Sequence, residues 1–193
     1  MRRTDLALSL LDDVEFPVFG EQGREAIVQS LFDYQFYDPR VRDWREAYAN
    51  ARGVIGDAKT PYEAVVALEA WFQTGTYDEK ADYSSSPRGP LPAFLLSKDR
   101  RGYCQMSAGA MSVLLRMLGI PARVAQGFTE GRSQRNGTRW SIQDSDAHAW
   151  VEVYFPGWGW IPFEPTPTRS LSSAASGTSP SFAVGAAALG ASS

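Results

Sequence analysis

Few residues in this chain could do chemistry at one centre. The 193 residues include a single cysteine, Cys104, and a single histidine, His148. One cysteine allows no internal disulfide. One cysteine and one histidine fall short of the three or four ligands of an ordinary zinc site, or of a thiolate-held iron–sulfur or haem centre. What the pair does permit is nucleophilic catalysis, in which a thiolate attacks and an imidazole carries the proton. Cys104 follows Gly102 and Tyr103 directly before a helical stretch. There the free N–H groups and the helix dipole stabilise a thiolate, and Arg100 and Arg101 bring positive charge nearby. A lone cysteine can equally be a small buried hydrophobe, and a lone histidine a satisfied core residue, so neither carries the assignment alone.

A third group would have to orient the imidazole. Residues 147–155 and 160–164 alternate apolar and polar side chains and are separated by Pro156-Gly157-Trp158-Gly159, which predicts a hairpin of two antiparallel strands. In that hairpin Tyr154 opposes Trp160 and Trp150 opposes Glu164. His148 then lies diagonal to Glu164 on the same face. A carboxylate there can accept a hydrogen bond from the imidazole nitrogen turned away from the thiolate, fixing the tautomer. Asp146, two residues before His148, is the rival acid.

The elements that must position these residues are legible. Thr60-Pro61-Tyr62-Glu63 has the form of a helix N-terminus, with an N-cap Thr, Pro at the first position and Glu at the third. Val65, Leu68 and Phe72 form an apolar stripe after it, and Gly75 ends the segment. Residues 76–92 are rich in Pro, Gly and Ser and read as a loop, and Pro92 starts a short helix through Leu96. A helix from about Cys104 to Leu118 buries Met111, Leu114, Leu115 and Leu118; Gly119 and Pro121 stop it. The period then falls to two, with strands at Arg123 to Phe128, Arg139 to Ile142, Ala147 to Phe155 and Trp160 to Glu164. Helices followed by strands predict an α+β fold with an antiparallel sheet. Residues 1–58 read as an N-terminal helical extension, with helices over Glu21 to Phe36 and again after Pro39. Residues 59–169 form the core. Residues 170–193 hold no charge and read as a flexible Ser/Ala/Gly linker.

At this point the motifs carry a resemblance. Gly102-Tyr103-Cys104, the helix after it and Gly119-Ile120-Pro121-Ala122-Arg123-Val124 resemble the nucleophile segment of the transglutaminase-like superfamily. Asp146-Ala147-His148-Ala149-Trp150-Val151-Glu152-Val153 and Gly159-Trp160-Ile161-Pro162-Phe163-Glu164-Pro165-Thr166 resemble its histidine and acid segments. The resemblance covers roughly residues 60–168 and is nearest to the transglutaminase-like domains that large bacterial membrane proteins carry outside the cytoplasm. It implies a papain-like core with Cys104 as nucleophile, His148 as acid/base and Glu164 as orienting acid, where the family usually has Asp. It also implies an extracytoplasmic, membrane-tethered domain acting on a protein or peptide substrate, with those of the cell envelope within its reach.

Such a site would perform acyl transfer through a thioester. The Cys104 N–H is the natural first oxyanion donor. Gln105, Trp71, Tyr77 and Tyr103 are candidates for a second donor or for substrate contact. Trp158 and Trp160 are expected to pack the sheet and Arg123 to anchor structure. Three functions are compatible with the sequence: a transglutaminase-like cross-linking or deamidating enzyme, a cysteine peptidase or amidase, and a binding or scaffold module without activity. No cofactor or metal is expected, and nothing resembles a calcium loop. The net charge of −3, with a net of −5 over residues 1–100 and +2 over residues 101–193, gives no reason to expect nucleic acid. No stretch is long and apolar enough to cross a bilayer. Asp5, Asp12 and Asp13 interrupt the basic-then-apolar start, which argues against a signal peptide.

Overall fold

The computed structural model describes residues 39–129, 131–134 and 139–167. The helix expected over Glu21 to Phe36 and the tail over residues 170–193 lie outside the described residues. Among the described residues four α-helices precede the strands: α1 (Pro39–Ile55), α2 (Pro61–Gln73), α3 (Pro90–Leu95) and α4 (Cys104–Met117). Five strands follow: β1 (Ala122–Phe128), β2 (Arg132–Gln134), β3 (Arg139–Ser141), β4 (Ala147–Phe155) and β5 (Gly159–Phe163). The fold is α+β. The main sheet is antiparallel in the order β1-β4-β5, and β2–β3 form a separate two-stranded ribbon.

The helix ends follow from local chemistry. Thr60 caps α2 by accepting the Glu63 N–H (3.1 Å), and Glu63 accepts the Thr60 N–H (3.3 Å) in return. At the far end of α4, Gly119 takes a left-handed conformation (φ +89°). The N–H of Ile120 reaches back to the carbonyl of Leu115 (2.8 Å) and that of Gly119 to Arg116 (3.0 Å). This is the glycine-terminated stop the sequence predicts. Met111, Leu114 and Leu115 of α4 pack with Val65, Leu68 and Phe72 of α2 against Ala149, Val151, Val153 and Phe155 of β4 and Phe163 of β5. All eleven are at most 1% exposed. Ala47 and Ala51 bring α1 into the same core.

The register of the hairpin is the one read from the alternation. Tyr154 pairs with Trp160 and Val151 with Phe163. Three details differ. The ribbon strand β2 is new; its polar sequence, Arg132-Ser133-Gln134, has no apolar alternation to reveal it. The short helix begins at Pro90 rather than Pro92, since a proline in the first turn needs no N–H partner. Strand β5 stops at Phe163, leaving Glu164 just beyond it.

Candidate active site

The nucleophile helix starts at Cys104, and Tyr103 is its N-cap. The Tyr103 carbonyl accepts the Met106 and Ser107 N–H groups (3.0 and 3.1 Å), opening the first turn. Gly102 before it is held in a parallel bridge with Tyr77: its N–H donates to Thr76 (2.9 Å) and its carbonyl accepts from Asp78 (2.8 Å). Only a glycine fits there. A Cβ would lie 2.8 Å from the Phe94 ring and 3.0 Å from the Met106 sulfur. The position of the thiol is thus set by a fixed backbone, a buried ring and the helix start.

His148 is near the start of β4. Strand β5 pairs with β4 only from Val151 to Phe155, so the beginning of β4 lacks a strand neighbour on that side. The His148 side chain is 1% exposed although Glu152 and Tyr154, on the same face, are partly or largely open. Its burial comes from its partners. Nε2–H donates to Oε2 of Glu164 at 2.5 Å, and the Trp150 indole stacks beside the ring at 6.3 Å. Trp150 in turn lies across Gly127, which pairs with His148 on β1, where a Cβ would sit 3.0 Å from the indole. With Nε2 committed to Glu164, the buried Nδ1 makes no hydrogen bond among the described residues and is the nitrogen left to take the Cys104 proton.

The electrostatics favour an ion pair. Burial pushes the Cys104 thiol up. Hydrogen bonding to His148 and to the backbone N–H groups of Ala149 and Gln105, together with the imidazolium charge, outweighs burial and brings the thiol below its ordinary value. Burial alone would lower the His148 pKa, but Cys104 and Glu164 raise it to about 9. The arginines of the preceding loop turn to other partners rather than to the thiol, contrary to the expectation from sequence. Arg101 pairs with Asp99 (3.0 Å) and Asp78 (3.6 Å). Arg100 lies over the Trp71 ring (4.0 Å) and donates to the Trp71 carbonyl and the Thr74 hydroxyl (3.0 and 2.6 Å).

The structure therefore brings Cys104, His148 and Glu164 together. Asp146 is engaged elsewhere. It ends a 3-10 turn (Asp144–Asp146), and its carboxylate accepts the Gln143 N–H at 2.7 Å. Of the other candidates, Gln105 reaches the sulfur with its backbone N–H while its side chain is exposed. Tyr103 is half-buried against the core. Trp71 supports Arg100, and the Tyr77 hydroxyl donates to Glu79 (2.8 Å). Arg123 anchors structure, pairing with Glu152 (2.8 Å) beneath a stack on Trp160 (4.0 Å). Trp158 does not pack the sheet; it sits at the hairpin tip, 42% exposed. Sequence reasoning missed Glu69, Gln73 and Thr166, all of which bond Glu164. Glu69 had a signal: it lies within the apolar stripe of α2, between Leu68 and Phe72.

The sequence profile of the transglutaminase-like superfamily matches residues 48–165. A protein-glutamine gamma-glutamyltransferase of Pseudomonas aeruginosa is 45% identical over 139 residues, covering 67% of this chain and 20% of that protein. The Bacillus subtilis protein YebA is 35% identical over 117 residues, covering 57% of this chain and 16% of that protein. The crystal structure of the periplasmic domain of TgpA from Pseudomonas aeruginosa, bound to ethylmercury, superposes with a TM-score of 0.55 at 34% identity. The match covers 63% of this chain and 43% of that one. The chain thus spans a fifth or less of these two curated relatives, and less than half of the solved domain.

Proposed function

This chain belongs to the transglutaminase-like superfamily, and from that membership we propose that it catalyses thiol-dependent acyl transfer on protein or peptide carboxamides, cross-linking or deamidating its substrate. The single observation that carries the reading is the half-buried Cys104, its pKa lowered by His148, whose buried ring is held in turn by Glu164. The Cys104 thiolate attacks the carboxamide carbon of a glutamine side chain. His148 gives its proton to the departing nitrogen, ammonia leaves, and a thioester joins the acyl group to the sulfur. A lysine amine or a water then attacks the thioester, His148 takes the proton released, and the thiolate is regenerated. The product is an isopeptide bond or a glutamate. The oxyanion formed on attack needs preorganised donors, and the Cys104 N–H at the start of α4 is the natural one.

Transfer to an amine is preferred over peptide hydrolysis because a relative 45% identical over 139 residues is a glutamyltransferase by name. The likeness to the periplasmic domain of TgpA supports an extracytoplasmic placement; tethering to membrane-spanning segments is proposed from the sequence resemblance alone. The substrates would then be proteins or peptides of the cell envelope. Incubation with a glutamine peptide and a labelled primary amine tests the reading. Amine incorporation that disappears in Cys104→Ala is expected; peptide cleavage without incorporation would favour the peptidase alternative, and neither would favour a non-catalytic module.

A further inference from the structure

Glu164 is 1% exposed and lies one residue past the end of β5. Its backbone has no strand to pair with, yet a buried N–H and C=O need partners. Both are supplied by one face of α2. Glu69 Oε1 accepts the Glu164 N–H at 2.7 Å, and Gln73 Nε2 donates to the Glu164 carbonyl at 2.8 Å. The two side chains are four residues apart, one above the other on the helix. Thr166 N–H occupies Oε1 of Glu164 (2.9 Å), leaving Oε2 for His148. Glu69 is 7% exposed among the apolar residues of α2. A carboxylate in such a place is costly to desolvate, and an apolar residue would serve packing better.

We propose that Glu69 and Gln73 are positioning residues, a side-chain clamp on the backbone of Glu164 that sets its carboxylate where it meets His148. The clamp fixes the φ/ψ of a chain segment that has left the sheet, and so compensates for the additional side-chain torsion that a glutamate has over an aspartate. Its importance for turnover rests on the acyl-transfer reading above. A misplacement of about 1 Å in such a group costs on the order of 10²-fold in rate.

The test is the rate of Cys104 alkylation by iodoacetamide as a function of pH, beside kcat and KM for amine incorporation. Glu69→Ala and Gln73→Leu are expected to move the alkylation midpoint up by about one pH unit and to lower kcat at least tenfold, with KM little changed. Glu69→Gln keeps the acceptor oxygen and is expected to restore the wild-type midpoint, which a loss of packing alone would not produce. Unshifted midpoints in both Glu69→Ala and Gln73→Leu overturn the clamp. Gln73 is exposed, so Gln73→Leu decides the matter if Glu69→Ala does not fold. Alkylation needs no substrate, which separates the two claims. A wild-type Cys104 inert at pH 6 that incorporates no amine defeats the acyl-transfer reading, whereas a reactive Cys104 indifferent to Glu69 and Gln73 defeats the clamp alone.

Discussion

His148 and Glu164 meet at 2.5 Å although they are not opposite one another in the ladder. The pairing of Val151 with Phe163, continued by one residue, sets Trp150 and not His148 across from Glu164. A diagonal pair lies roughly 7–8 Å apart at the backbone, within reach only of long side chains. The glutamate at a position where the family usually has aspartate therefore has a geometric reason in this chain. Glu164→Asp, with its backbone still held by Glu69 and Gln73, is expected to fall short of Nε2 and to lose most activity. Glu164→Gln keeps the length and loses the charge, and should lower kcat on the order of 10⁴-fold. Steady-state rates of both variants check this; an Asp variant as active as wild type would show that the diagonal reach does not matter.

The thiol itself can be read without any substrate. An ordinary cysteine is almost wholly protonated at pH 6, but Cys104 is held low by His148 and by the N–H groups of Ala149 and Gln105. Rapid alkylation of Cys104 at pH 6 is expected, with a steep loss in His148→Ala. Equal, slow labelling of both proteins would remove the activated thiolate from consideration.

How much of this was legible in sequence depends on what each contact rests on. The helix start at Thr60, the stop at Gly119 and the hairpin register are local, and the residue types settle them within a few positions. His148 and Glu164 could be placed on one face because strand parity is a property of the alternation alone. The clamp was not legible, because Glu69 bonds a backbone group 95 residues away and only the packing of α2 against the end of β5 creates that contact. The role given to Arg100 and Arg101 failed for a similar reason. Closeness in sequence does not say where a long side chain turns, and here Trp71, Asp78 and Asp99 engage them.

Stability should carry the signature of the ion pair. The His148 pKa is raised from 6.5 to about 9, so its contribution is complete below pH 6.5 and is lost as pH rises through about 9. The Cys104 pKa is lowered from 9.0, so its contribution is complete above that pH and is lost as pH falls through the lowered value. Between the lowered Cys104 value and about 9, the loss from His148 and the gain from Cys104 oppose one another as pH rises, so the slope of the pair is smaller than that of either group alone. Cys104→Ala removes the thiol and leaves the His148–Glu164 pair. Relative to wild type, its melting temperature is expected to decline as pH rises across that window. Parallel Tm curves for the two proteins would mean that the thiolate–imidazolium pair does not form.

Gly102 couples stability to the site. The objection to a side chain there is space rather than backbone conformation, since a Cβ would meet the Phe94 ring at 2.8 Å and the Met106 sulfur at 3.0 Å. Phe94 cannot easily yield. It is 1% exposed, stacked on Phe72 and edged by Tyr83, both at 6.3 Å. Gly102→Ala is expected to cost about 1–3 kcal/mol as an overpacked core site. Because Cys104 is two residues away at the first turn of α4, the same substitution should slow its alkylation. Gly53 in α1 provides the contrast. Nothing lies within 4 Å of a Cβ built there, and Gly53→Ala should stabilise by roughly 0.4–1 kcal/mol through the unfolded chain while leaving the thiol unchanged. Urea unfolding and alkylation rates on the two variants separate these outcomes; a Gly102→Ala protein as stable and as reactive as wild type would mean that the Phe94 ring does not fix the nucleophile.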